Sequence, residues 1–209
     1  MVAAAMTPFV FCTVQYESGD WDSAPSVPAN IIDSVARYTS IVVAPIGAIV
    51  PLASRDLLRY PLAYLTGHLP VRFSPGERAM LRSYLDRGGL LFVDDHNHDI
   101  DGQFHKSCIA ELAAVTGAPL TPIPNTDPLY RAFFTFEDGA PNTSHELNGW
   151  GDNLVHPHLF GWRRGNRLGV VYSNKDYSSE WNYHPDNKRF LAVDNTRFGV
   201  NLVVYALTR

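Results

Sequence analysis

The stretch SPGERAMLRSYLDRGGLLFVDD, Ser74 to Asp95, narrows the fold more than any other part of the chain. Ser74 is a capping residue, Pro75 stands where a helix needs no N–H, Glu77 completes a capping box, and Gly88 supplies the stop. Leu90 to Val93 are apolar at consecutive positions, so both faces of that strand must be covered. A doubly covered strand entered straight from a helix belongs to a parallel sheet with helices on each side.

Other segments repeat the alternation. FVFCTVQ (9–15) reads as a strand, followed by turn residues and by VPANIIDSVARYT, where Val27, Ile31, Val35 and Tyr38 recur at helical spacing. IVVA (41–44) reads as a short buried strand and LAYLTGH (62–68) as another. DGQFHKSCIAELAAVTG is a further helix ending at Gly117, RLGVVYSN a strand, and NTRFGVNLVVYALT a closing amphipathic helix. The expected fold is α/β, a doubly wound, mostly parallel sheet flanked by helices, of flavodoxin-like type. One domain is expected over 1–209, with an irregular elaboration at about 120–165 that holds one strand at YRAFFTF. An excursion of that length suggests an addition over the ligand face.

Composition excludes several classes of partner. With 17 basic and 21 acidic residues the net charge is -4, and there is no lysine-rich tract. Nucleic acid is therefore not expected as a partner. No apolar run reaches the roughly 20 residues that span a bilayer. MVAAAMTPFVF lacks the charged n-region and adequate h-region of a leader, which implies a cytoplasmic location as the sequence stands, or a periplasmic one if a leader has been removed. Cys12 and Cys108 read as small buried hydrophobes rather than a disulfide. A small-molecule ligand is the expected partner, and a homo-oligomer is left open.

In open parallel sheets ligands lie beyond the carboxyl ends of the strands. That edge should receive Tyr16, Asp20 and Trp21 from the first strand, His68 from LAYLTGH, Asp94, Asp95, His96 and His98 from LLFVDDHNH, and Lys175 after GVVYSN. His96 and His98 share one side of an extended chain, and Asp94 shares their parity. Mixed imidazole and carboxylate suits zinc, iron or manganese, with His68, Asp95, His96 and His98 as ligands. The plainer alternative is that the aspartates cap the next helix while the histidines are solvated. Asp20 or Asp22 bind substrate hydroxyls or cap a helix, and His156 and His158 sit in the irregular region, where surface positions are common. No GxGxxG or GxxxxGK[ST] is present, so no nucleotide cofactor is expected, and FVDDHNH offers no serine or cysteine at the strand-to-helix elbow.

Five segments resemble a bacterial family catalogued as domain of unknown function 4159: VQYESGDWDSAP, YPLAYLTGH, LRSYLDRGGLLFVDD, DPLYRAFFTF and FGVNLVVYALT. The resemblance runs nearly end to end. It implies a class I glutamine amidotransferase-like fold near the ThuA-like proteins associated with sugar utilisation. His68, Asp94 and Asp95 match the family's pattern directly, whereas Asn97 stands where a family histidine would fall. With aspartates where an amidotransferase carries its cysteine, glutaminase chemistry is not expected.

Two functions from different classes follow as expectations. The first is an enzyme of hydrolase, lyase or isomerase type acting on a small polar, possibly sugar-derived substrate. His68, Asp94 and Asp95 would be its catalytic residues, Tyr16, Asp20, Trp21 and Lys175 would bind substrate, and a divalent metal would assist. One of the adjacent carboxyls of Asp94 and Asp95 would have a raised pKa through repulsion by the other. The second is a non-catalytic ligand-binding or assembly module that has lost the amidotransferase nucleophile.

Overall fold

The computed structural model describes residues 7–147, 154–183 and 195–208. Strands β1 (Cys12–Gln15), β2 (Ala48–Pro51), β3 (Leu62–Gly67), β4 (Leu90–Asp95), β5 (Thr121–Pro122), β6 (Phe160–Arg164) and β7 (Arg167–Ser173) form one seven-stranded sheet in the order β2-β1-β3-β4-β7-β6-β5. The first five in that order run parallel, and β6 and β5 extend the far edge antiparallel. Strand order reverses between β1 and β3, the position at which α/β sheets bind ligands.

Side-chain alternation along the strands divides the core in two. Leu90 and Phe92 face α1 (Val27–Tyr38) and α6 (Thr196–Thr208), where Ile31, Val35, Phe198 and Leu202 cover them. Leu91 and Val93 face α2 (Pro75–Asp86) and α3 (Gln103–Thr116), against Leu81, Phe104 and Leu112. The doubly wound α/β fold expected from the sequence is the one observed.

The signals at Ser74 to Gly88 act as written. Ser74 Oγ accepts the Glu77 amide, and Glu77 Oε2 accepts the Ser74 amide at 2.8 Å. The second oxygen of Glu77 accepts the Glu17 amide at 2.9 Å, so one buried carboxylate ties the loop after β1 to the start of α2. Gly88, at φ +89°, lets the chain turn into β4. Cys12 and Cys108 are free and buried, as expected.

Two expected strands are different. IVVA makes only a single bridge, Val43 to Phe9, and the ladder on β1 resumes at Ala48. Pro45 lies between and has no N–H to give, so the paired segment is AIVP rather than IVVA. YRAFFTF is no strand either. Asp127 accepts the Leu129 amide at 2.8 Å and starts a 3₁₀ turn over Pro128–Arg131. Asn201 of α6 then takes the place of a strand partner, accepting from the Phe134 amide and donating to the carbonyls of Leu129 and Phe134.

Among the described residues no helix is long and apolar enough to cross a membrane.

Candidate functional site

The loop after β1 brings Asp20 against the end of β3. Asp20 Oδ1 accepts the amides of His68 at 2.8 Å and Leu69 at 3.0 Å, and Oδ2 meets His68 Nδ1 at 2.7 Å. Burial raises the Asp20 pKa, but those two amides and the imidazole outweigh it and leave the group below the usual carboxylate range. A carboxylate on Nδ1 fixes the ring's orientation and directs Nε2 away from Asp20. The His68 ring stacks on His96 with centroids 4.3 Å apart.

Gly67 makes that approach possible. A Cβ there would stand 2.3 Å from Tyr16 Oη and 2.8 Å from Asp20 Oδ1. Tyr16 is itself buried and donates its hydroxyl to the Thr66 carbonyl at 3.0 Å, bracing the ends of β1 and β3. Trp21 is half-buried against the α2/α3 side of the core. Tyr16 and Trp21, expected to bind substrate, thus pack the walls of the mouth.

Beyond His96 the row continues to Asp176, which follows β7. His96 Nε2 lies 3.0 Å from Ser179 Oγ and 3.6 Å from Asp176 Oδ1. His98 Nδ1 lies 3.3 Å from Asp176 Oδ2, and His145 Nε2 lies 3.1 Å from the same oxygen. His145 belongs to α4 (Ser144–Leu147), and its ring stacks on His98 with centroids 4.4 Å apart. Asp176 caps α5 (Tyr177–Trp181) by accepting the Ser179 amide at 3.0 Å. Burial pushes its pKa up, yet His145, His98, His96 and Ser179 together hold it below the ordinary value.

The adjacent pair Asp94 and Asp95 does not share a surface, because consecutive strand residues point to opposite faces. Asp94 Oδ2 accepts the Ser178 amide and hydroxyl, both at 2.6 Å, and braces α5. Asp95 Oδ1 accepts the Asn97 amide at 2.9 Å. Burial, then the Asp176 charge, raise Asp94 to about 8. Asp95 is raised to about 7, again chiefly by burial. One elevated value was expected, from repulsion within the pair; both are raised, and desolvation is the leading cause, since the two carboxyls occupy opposite sides of the sheet.

This carries a pH prediction. A folded-state pKa of about 8 against 3.8 in the unfolded chain means that between those values the native state keeps a proton the unfolded state has released. Stability from this group is fully present below pH 4 and declines as pH rises towards 8. Asp94→Asn keeps a carbonyl for Ser178 and removes the titration. Its stability relative to the parent should therefore increase between pH 5 and pH 7, by up to about 1.4 kcal/mol per pH unit. Urea unfolding at both pH values measures it, and parallel pH profiles for the two proteins would contradict it.

Lys175, expected at the mouth to hold an oxyanion, has a fully buried side chain whose ammonium meets Glu146 Oε1 at 2.5 Å. Its charge is already compensated. Of the four residues expected to share a metal, His68 is paired with Asp20 and Asp95 with the Asn97 amide, while His96 lies between Ser23 and Ser179. Only His98 belongs to the group His98, His145 and Asp176, whose donor atoms all lie within 4.8 Å of one another.

The sequence model of the family described as domain of unknown function (DUF4159) matches residues 10–207. The chain belongs to this family. No curated protein matches it. The match spans β1 to α6, so both the Asp20–His68 pair and the Asp176 group lie inside the family's domain.

Two members of the Asp176 group were not among the sequence candidates. Asp176 directly follows Lys175 after the GVVYSN strand, and nothing in its spacing sets it above its neighbours. His145 stands in a stretch without periodicity, 47 positions after His98, and no local motif joins the two. A second histidine grouping surrounds His105, whose Nδ1 meets Tyr172 Oη at 2.7 Å and whose ring lies 5.7 Å from that of His156. His156 and His158 follow, with centroids 5.8 Å apart.

Proposed function

We propose that the protein is an enzyme acting on a small polar substrate by acid–base chemistry, with His68 as the group that moves the proton and Asp20 as the residue that orients it. The observation that supports this reading is the grip of one carboxylate on His68 through both its ring and its backbone amide, at 2.7 and 2.8 Å. A base held in one orientation beside an open strand end is the arrangement proton transfer requires. Its position also favours the reading, because β1 and β3 flank the reversal of strand order. His68 keeps 42% of its side chain exposed, which leaves room for a substrate.

In this scheme Asp20 stays ionised and stabilises the imidazolium that forms when Nε2 takes a proton. His96, stacked on His68, walls one side of the base. The chemistry in this reading is proton transfer at His68, of hydrolase, lyase or isomerase type. A sugar-derived compound is the finer substrate assignment.

The second reading, a non-catalytic ligand-binding module, is favoured by the use of Asp94 as a brace for α5 rather than as a reactive group. A panel of p-nitrophenyl esters, phosphates and glycosides separates the two. Turnover that falls by about 10²–10⁴ in His68→Gln, with unfolding unchanged, is the expected result. Turnover undiminished in that variant would refute the role of His68. Failure of the whole panel, with ligand-induced stabilisation intact in His68→Gln, would favour the binding module.

A further inference from the structure

We propose that His98, His145 and Asp176 form a binding site for one divalent first-row transition-metal ion of the zinc type, with a coordination position left open. None of the three is used by the proton-transfer scheme at His68, and the proposal does not depend on that scheme.

The donor set is the first argument. Two imidazole nitrogens and one carboxylate oxygen are the ligands that zinc and ferrous iron take when a protein supplies three groups and leaves a fourth position to water or substrate. Calcium and magnesium prefer all-oxygen surroundings and are disfavoured here.

Distances supply the second. Ligands about 2.0–2.1 Å from a tetrahedral zinc lie roughly 3.3–3.4 Å from one another. His98 Nδ1 and His145 Nε2 stand 3.3 and 3.1 Å from Asp176 Oδ2, close to the edges of such a tetrahedron. The spacing already present would admit the ion once the stacked rings of His98 and His145, 18° from parallel, turn so that both nitrogens point at it. Two further features mark the same three residues.

Backbone strain is the first of these. Among the described residues, the non-glycine positions with positive φ are His98 at 42° and Asp176 at 59°. Both belong to the proposed ligand set. Such conformations persist where surrounding structure over-determines them, and they gather at functional sites.

The anchoring of the third ligand completes the case. α4 is one turn long and could not hold His145 in place alone. Glu146 Oε1 meets the buried Lys175 ammonium, Glu146 Oε2 accepts the Thr143 amide at 2.8 Å, and Glu180 accepts the Ser144 amide. Lys175 and Glu180 flank Asp176 on the segment from β7 into α5, so the carboxylate and the helix carrying His145 are tied to one piece of chain. Asp176 is itself 1% exposed, and its other oxygen is fixed by Ser179. Outer hydrogen bonds of this kind orient metal ligands.

Protein purified without affinity tag or chelator, then stripped with EDTA and dialysed, is titrated with zinc against a chromophoric competitor, and elemental analysis counts the metal bound. One equivalent per chain is expected. His145→Ala and Asp176→Asn should each weaken zinc by about 100-fold, and cobalt in the parent should give the visible bands of a tetrahedral site, lost in both variants. His145→Ala decides the question should Asp176→Asn fail to fold, since His145 stands on a one-turn helix and keeps part of its side chain exposed, whereas Asp176 is buried. His68→Gln should keep its full equivalent of zinc, so loss of turnover there with metal retained separates this proposal from the catalytic one. Absence of stoichiometric zinc in the parent, equal affinity in His145→Ala, or loss of the metal in His105→Ala in its place would overturn the assignment.

Discussion

Replacing Glu146 by alanine is expected to destabilise the protein by about 3–5 kcal/mol at pH 7, the range for removing one partner of a buried ion pair. Lys175 is the reason. Its side chain has no solvent exposure, and its ammonium meets Glu146 Oε1 at 2.5 Å. Without Glu146 that charge loses its hydrogen-bonded carboxylate in a place closed to water, which costs far more than the pair contributes when intact. The Thr143 amide would lose its acceptor in the same change. A double variant, Glu146→Leu with Lys175→Met, removes both charges and should recover most of the loss. Urea unfolding of the parent, the single and the double variant tests this; a single-variant loss below about 1 kcal/mol, or a double variant no better than the single, would show that the pair is not a buried charge pair in solution.

Legibility of this fold in its sequence followed the range of the forces involved. The capping box at Ser74 and the apolar runs of β3 and β4 are local, and each was readable because a few neighbouring residues decide the outcome. IVVA and YRAFFTF have strand composition, but whether they pair depends on groups outside each run, one adjacent and one distant. Pro45 displaces the ladder to Ala48, and Asn201, 67 residues beyond Phe134, takes the hydrogen bonds a neighbouring strand would have made. Pro45 is legible next to its run, whereas nothing local to YRAFFTF points to Asn201.

The candidate site divides along the same line. That β1, β3, β4 and β7 deliver polar groups to one edge follows from parallel topology, and Asp20, His68 and His96 are found together there. Which oxygen faces which nitrogen is a tertiary matter. Parity suggested that His96 and His98 face one way, and both reach Asp176, at 3.6 and 3.3 Å, but His98 does so through a positive φ while His96 also stacks on His68. Alternation holds only while the chain is extended, and β4 ends at Asp95.

The second large effect concerns a residue with no side chain. Gly67→Ala should destabilise the protein by about 2–3 kcal/mol, as overpacking of a filled interior does. The new Cβ would stand 2.3 Å from Tyr16 Oη, 2.8 Å from Asp20 Oδ1 and 3.3 Å from Phe104 Cε2. None of these can yield easily. Tyr16 is held by the Thr66 carbonyl, Phe104 is buried, and Asp20 Oδ1 is gripped by two amides. The carboxylate that orients His68 is the neighbour with most freedom to move, because part of it reaches solvent. Its displacement would weaken the bonds that keep the Asp20 pKa low, so the group should titrate closer to the ordinary aspartate value. A carboxyl whose folded pKa is depressed contributes stability above its unfolded pKa and loses it as pH falls, so the variant should also lose part of the parent's acid-range stability dependence. Carboxyl-detected NMR titration of Asp20 reads the first effect, and urea unfolding at pH 7 and pH 4 reads the second. An alanine variant with parental stability and an unmoved Asp20 titration would mean that β1 and β3 stand further apart than described, and the oriented base at His68 would lose its support.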